Sequence, residues 1–114
     1  MTSEAASPVR VGVLGAGGRM GTAICAAVSV DPALTLVAAV GRTSIGQTRS
    51  GVTVSGELKA FADAECDVVV DVTVADVSRT AVPWLAMHGI HAVVGTSGIT
   101  DDDVAAFGEA FGRG

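Results

Sequence analysis

The residues of this chain best suited to chemistry are glycines, in the run Gly15-Ala16-Gly17-Gly18-Arg19-Met20-Gly21, set directly after the apolar stretch Val9 to Leu14. A β-strand that runs into such a cluster and then into a helix makes a nucleotide-binding turn. Gly15 permits the tight reversal, Gly17 or Gly18 leaves no Cβ in the way of a pyrophosphate, and Gly21 lets the helix pack closely on the strand. The helix N-terminus adds unpaired N–H groups and the positive end of its dipole. The spacing departs from G-x-G-x-x-G because the last glycine falls one residue late; it reads as the variant Gly15-x-x-Gly18-x-x-Gly21. A glycine-rich turn without a ligand is the plainer alternative. No Gly-Lys-Ser/Thr follows, against a P-loop, and neither Val-Ala-Ile-Lys nor His-Arg-Asp occurs, against a kinase.

Two further groups could serve the same ligand. In NAD-specific sites an acidic residue about 20 positions after the glycines accepts bonds from the adenine ribose and repels a 2′-phosphate. Here that position is Gly41, followed by Arg42-Thr43-Ser44, a cation and two hydroxyls suited to holding a 2′-phosphate. A solvated polar turn is the alternative; NADPH is the expected cofactor, with NADH second. Thr73 closes the run Asp67-Val68-Val69-Val70-Asp71-Val72-Thr73, and Gly95-Thr96-Ser97-Gly98 follows His91 to Val94. Both fall at carboxyl ends of strands, where ligands bind in open α/β sheets. Small residues at Gly95 admit a flat ring, and the hydroxyls can bond an amide. Asp71 is expected to be structural, accepting bonds from loop N–H groups, with a catalytic role as the alternative.

The elements that must position these groups follow from periodicity. Val9 to Leu14, Leu34 to Val40 and Asp67 to Thr73 are strands, joined by a helix from about Met20 to Val30 with Ile24, Ala27 and Val28 on its inner face and Asp31-Pro32 at its end. Ile45 to Ser50 reads as a polar loop and Gly51 to Ser55 as a short strand near a sheet edge. Glu57 to Ala64 is a short helix with Leu58 and Phe61 inward. Val77, Ala81, Trp84, Leu85 and His88 follow helical spacing; Pro83 must kink this helix or start a second one, and Gly89 caps it. A fifth strand begins at His91. Thr100 and Asp103 open a last helix through a capping box, with Val104, Phe107 and Phe111 on one face.

Composition limits the functions open to the chain. Its 114 residues make about one domain, 49% hydrophobic and 17% charged, with 15 glycines and no tyrosine, as suits a buried parallel sheet with tight turns. A net charge of −5 argues against nucleic acid or an anionic membrane as partner. Met1 to Pro8 has no basic or apolar segment of a signal peptide and reads as a mobile tail before the dinucleotide-binding domain, 9–114. Cys25 and Cys66 lack metal-ligand spacing and read as buried free thiols of a cytoplasmic protein. His88 and His91 straddle a helix end and do not share a helical face, so no metal site is expected.

The ordered set Val11-Gly12-Val13-Leu14-Gly15-Ala16-Gly17-Gly18-Arg19-Met20-Gly21, Asp71-Val72-Thr73 and Gly89-Ile90-His91-Ala92-Val93-Val94-Gly95-Thr96-Ser97-Gly98 resembles the 4-hydroxy-tetrahydrodipicolinate (dihydrodipicolinate) reductases of the diaminopimelate route to lysine. The resemblance implies an α/β, Rossmann-type doubly wound fold: a mostly parallel sheet of about five strands with helices on both faces. It places the pyrophosphate loop at Gly15, Ala16, Gly17, Gly18, Arg19 and Met20, the adenosine-ribose or 2′-phosphate contact at Arg42, and the nicotinamide-side loop at Gly95, Thr96 and Ser97. The family often has Asp-Phe-Thr where this chain has Asp71-Val72-Thr73, and often an acidic residue at the position of Gly41. Its His-His motif with a nearby lysine and its Lys-x-x-x-x-Ser-Gly-Thr-type carboxylate loop are absent; Lys59 is the single lysine.

The resemblance therefore implies the cofactor half of an NAD(P)H-dependent reductase. In the full enzyme, which the family forms as a homo-oligomer, hydride passes to the 4-hydroxy-tetrahydrodipicolinate ring with loss of water. This chain alone is expected to be inactive and to meet the small-molecule substrate only with a second domain. No catalytic residue is assigned. A stand-alone NADP-binding or interaction module is the alternative from another class.

Overall fold

A computed structural model of the chain describes residues 7–112. Residues 1–6 of the expected tail, and 113–114 at the other end, lie outside the described residues. The elements are β1 (Val9–Leu14), α1 (Arg19–Ser29), β2 (Leu34–Val40), β3 (Thr48–Arg49), β4 (Val52–Ser55), α2 (Lys59–Asp63), β5 (Val68–Asp71), α3 (Ala75–Met87), β6 (His91–Val94) and α4 (Asp101–Phe111). They form a six-stranded sheet in the order β3-β4-β2-β1-β5-β6. All neighbours are parallel except the β3–β4 pair. Without β3 this is the doubly wound order in which the chain leaves β1 toward one edge and returns to its other side at β5. The gap between β1 and β5 is thus the topological switch point.

Two cores hold the sheet. Val13, Cys25, Ala39 and Val54 are buried under α1, and Leu14, Val40, Phe61, Val69, Ala81 and Leu85 under α2 and α3 on the other face. Burial of each such aliphatic or aromatic side chain stabilises the fold by about 1.5–3 kcal/mol. Both thiols are free and buried. Burial pushes Cys66 up to about 11 and raises Cys25 as well, which keeps both unreactive.

Several expectations are corrected. The segment 45–50 contains β3, which pairs Thr48 with Thr53 and Arg49 with Val52. Ser50 and Gly51 both take positive φ (51° and 86°), the two-residue turn that matches strand twist and closes such a hairpin. Of the two outcomes open at Pro83, a second helix does not occur, since α3 runs unbroken from Ala75 to Met87. The burial of Ala81, Val82 and Leu85 around it offsets the missing backbone bond. On α1 the inner face is Gly21, Cys25 and Val28 with Ile24 beside it, while Ala27 is exposed. The strands predicted at 67–73 and from 91 onward end at Asp71 and Val94. Helical cover is also incomplete: on edge strand β6 the side bearing His91 and Val93 is open, and Val93 is 56% exposed.

Two helix ends are as the sequence indicates. Gly89 follows α3 with φ +70°, Gly89 N donates to Ala86 O and Ile90 N to Leu85 O, the double bond of a left-handed C-terminal cap that buries Ile90. At α4 the capping box forms: Asp103 N donates to Thr100 Oγ1 at 3.2 Å, and Thr100 N to Asp103 Oδ2 at 2.9 Å. Phe107 and Phe111 are half-buried there, but Val104 is 60% exposed.

The same Asp103 ties α4 to α3, accepting from Arg79 Nε at 2.9 Å and Nη2 at 3.1 Å. This guanidinium, with the Thr100 N–H second, lowers the Asp103 carboxyl from 3.8 to about 2. A carboxyl depressed in the folded state contributes stability above its unfolded pKa, about 4, and loses it as pH falls through the folded value. Protection of the α4 amides, taken relative to the intrinsic exchange rate, should therefore fall between about pH 4 and pH 2 ahead of the sheet. In Arg79→Ala this acid step should shrink to what the Thr100 N–H alone supports; an unchanged step would assign it to another group.

Candidate cofactor site

A cavity of about 590 Å³ opens at the carboxyl ends of β1, β2 and β5, at the switch point. Its walls are the glycine turn (Gly15, Gly17, Gly18), the end of β2 (Gly41, Arg42, Thr43) and the end of β5 with the start of α3 (Thr73, Val74, Asp76). Gly15, at φ +94°, turns the chain out of β1, and both Gly15 N and Ala16 N donate to Val40 O, locking the turn to β2. Gly18 is the N-cap of α1 and Val74 that of α3; neither supplies a side-chain cap, whereas α4, away from the cavity, has one. Two helices thus begin at the cavity with first-turn N–H groups that no side-chain cap satisfies, a setting suited to phosphate oxygens.

The glycines divide by what a side chain would meet. At Gly21 a Cβ would fall on the Gly15 carbonyl, confirming the close helix–strand packing expected there. At Gly17 it would strike Thr43, including Thr43 O at 2.5 Å. Gly17 is therefore needed for the turn to seat against the β2 loop, a packing role the sequence had not separated from ligand contact. At Gly18 the nearest atom is Gly15 O at 3.6 Å, an ordinary contact, so the open space belongs to Gly18. A Cβ on buried Gly41 would stand 3.2 Å from Gly17 N, so this position has little room for an acidic residue.

Of the residues singled out by sequence, Gly15, Gly17, Gly18, Arg42 and Thr73 line the cavity together. Arg42 is exposed, and among the described residues no hydrogen bond or ion pair holds its guanidinium. Thr43 lines the cavity beside it; Ser44, at φ +63°, turns into the following loop, where its carbonyl accepts from Gln47 N. Ala16 is fully buried behind the turn, and Arg19 and Met20 are exposed in the first turn of α1 outside the cavity wall. Gly95, Thr96 and Ser97 lie behind Thr73 and Val74 without lining the cavity, joined to them by a parallel bridge between Val74 and Ser97.

Asp71 is fully buried and accepts from Thr73 N (3.0 Å) and Thr73 Oγ1 (2.6 Å), the structural role expected of it. Two residues escaped the sequence reading. Ser78, fully buried in α3, donates to Asp71 Oδ2. Arg49, on the unforeseen β3, donates from Nε to Ala16 O and to Thr22 Oγ1, both at 3.2 Å, bracing the glycine turn from behind. A buried carboxylate demands donors, so a search for Ser or Thr near Asp71 was the available clue to Ser78. Among the described residues no group of His, Cys, Asp or Glu could hold a metal, and no helix is long and apolar enough to cross a membrane.

The sequence matches the family model described as dihydrodipicolinate reductase, N-terminus, over residues 9–112. It is 44% identical over 90 residues to a 4-hydroxy-tetrahydrodipicolinate reductase of Nocardia farcinica, covering 79% of this chain and 32% of that protein. With the enzyme of the same name from Corynebacterium urealyticum the identity is 42% over 94 residues, covering 82% and 33%. The chain thus spans about a third of the length of these curated relatives. Among solved structures, dipicolinate-bound dihydrodipicolinate reductase from Paenisporosarcina sp. TG-14 superposes with a TM-score of 0.76 at 23% identity, over 90% of this chain and 43% of that one. Aspartate semialdehyde dehydrogenase with NADP from Candida albicans gives 0.68 at 26% identity, over 80% and 30%. The α/β fold, the glycine turn at its switch point and the match along residues 9–112 agree: this chain belongs to the dihydrodipicolinate reductase family, as its N-terminal, Rossmann-type domain.

Proposed function

We propose that this domain binds NADPH, in preference to NADH, and serves as the cofactor half of a 4-hydroxy-tetrahydrodipicolinate reductase. The observation that carries the reading is the cavity at the switch point, with the glycine turn and the uncapped start of α1 on one side and the Arg42 guanidinium at its mouth. The pyrophosphate would lie against Gly15, Gly17 and Gly18 at the start of α1, the 2′-phosphate against Arg42 and Thr43, and the nicotinamide toward Thr73, with Gly95, Thr96 and Ser97 behind it. Ala16, Arg19 and Met20 complete the turn. When bound, the cofactor supplies the hydride; these residues supply position and charge. Among the described residues the cavity wall carries no histidine or lysine, and in this reading reduction takes place in a longer, homo-oligomeric and cytoplasmic protein whose second domain holds the substrate. The NADP named for the Candida structure supports a nicotinamide dinucleotide as the ligand.

Arg42 tests the choice of phosphate. With Gly41 in place of a carboxylate nothing repels the 2′-phosphate, and a charge-assisted bond contributes roughly 1.5–3 kcal/mol, which exposure lowers; NADPH should be preferred by about 10- to 100-fold. Arg42→Ala should weaken NADPH and leave NADH nearly unchanged by calorimetric titration, and the difference should shrink in high salt. Equal losses for both cofactors would show that Arg42 supports the loop or stacks on adenine.

A further inference from the structure

We propose that Asp71 is a positioning residue for the nicotinamide half of the site, setting which way the Thr73 hydroxyl points and tying the β6 loop to it. The proposal rests on the NADPH reading above. Asp71 and Ser78 are both fully buried, and every group that reaches the Asp71 carboxylate is a donor. Oδ1 accepts from Thr73 N at 3.0 Å, from Thr73 Oγ1 at 2.6 Å and from Thr96 Oγ1 at 3.3 Å; Oδ2 accepts from Ser78 Oγ at 2.5 Å. Ser78 Oγ in turn stands 3.0 Å from Thr96 Oγ1. One carboxylate thus gathers the hydroxyls of β5's end, α3's first turns and the loop after β6.

The chemical consequence lies in proton counting. A hydroxyl has one proton, and a threonine that gives it to a carboxylate keeps only lone pairs for other partners. Thr73 is the member of the cluster on the cavity wall. Its strongest bond, at 2.6 Å, commits the proton to Asp71, so to any further partner Thr73 offers only an acceptor. Donors are what the nicotinamide riboside carries there, in its carboxamide NH₂ and ribose hydroxyls. The adenosine half, held at Arg42 beyond the glycine turn, has no contact with the cluster. Asp71 therefore governs affinity for one half of the dinucleotide and not for the other. Thr96, which lies off the cavity wall, acts through the same carboxylate by keeping the β6 loop against Thr73 and Val74.

The test compares NADPH with 2′,5′-ADP, which contains only the adenosine half and its 2′-phosphate. Asp71→Asn keeps the shape but replaces one acceptor by an NH₂ donor, which forces a neighbouring hydroxyl to turn. By calorimetric titration of the folded chain, NADPH affinity should fall about tenfold, the loss of one hydrogen bond of ordinary strength, while 2′,5′-ADP stays within about twofold. Equal losses for both ligands would reduce Asp71 to a structural role, and no loss for either would remove any role; both overturn the proposal. Should Asp71→Asn fail to fold, Thr96→Val and Thr96→Ser decide: the valine should lose NADPH selectively and the serine retain it, and identical behaviour of the two overturns the proposal. A wild-type chain that binds neither ligand would refute the dinucleotide reading itself, and this proposal with it.

Discussion

Gly18→Val should fold like the parent chain and bind NADPH about 100-fold more weakly, a loss of about 2.7 kcal/mol. The backbone at Gly18 has φ −83°, which any residue adopts, and the nearest atom to a new Cβ is an ordinary 3.6 Å away. In the proposed pose the side chain would project into the space where the start of α1 meets the pyrophosphate, where close approach of backbone to phosphate is required. Gly17→Val, at the other glycine that could face a pyrophosphate, is the poorer probe. Its Cβ collides with Thr43 Oγ1 and the Thr43 carbonyl, so it displaces the β2 loop and costs stability as well as affinity. Calorimetric titration alongside thermal melts separates the two. A Gly18→Val chain that binds as tightly as the parent would place the phosphates elsewhere.

Gly21→Ala should destabilise the domain by about 3 kcal/mol or more, because the added methyl would sit on the Gly15 carbonyl and neither backbone can yield without opening the α1–β1 contact. In a domain of this size that is a fall in Tm on the order of 15 °C. Propensity alone predicts the opposite sign, since alanine is the better helix former by about 1 kcal/mol. A melt in which Gly21→Ala matches or exceeds the parent would mean that the helix stands off from the turn.

Much of this was legible because the glycine turn and the strands around it are local features. Val9 to Leu14 feeds directly into Gly15, and the pattern alone marks the turn at which the phosphates are proposed to bind. The expected role of Asp71 as an acceptor for loop N–H groups is also local, since Thr73 N lies two residues away. What escaped depends on residues distant in sequence. Ser78 and Thr96 meet Asp71 only once β5, α3 and β6 are assembled, and Arg49 reaches Ala16 across 33 positions. The β3 hairpin is two residues long, too short for any periodicity, although Ser50-Gly51 carried its turn signal. Two outcomes stay open at Pro83 in the sequence because the rule against proline in helices is local, while the burial that accompanies the continuous α3 is tertiary. The division of labour between Gly17 and Gly18 needed the position of Thr43.

Titration of the chain with NADPH tests the central claim most directly. The expected result is saturable binding at a single site, with 2′,5′-ADP competing for it and NADH binding about 10- to 100-fold more weakly. Heats no larger than dilution for NADPH, NADH and 2′,5′-ADP alike, from a chain that melts cooperatively, would contradict it.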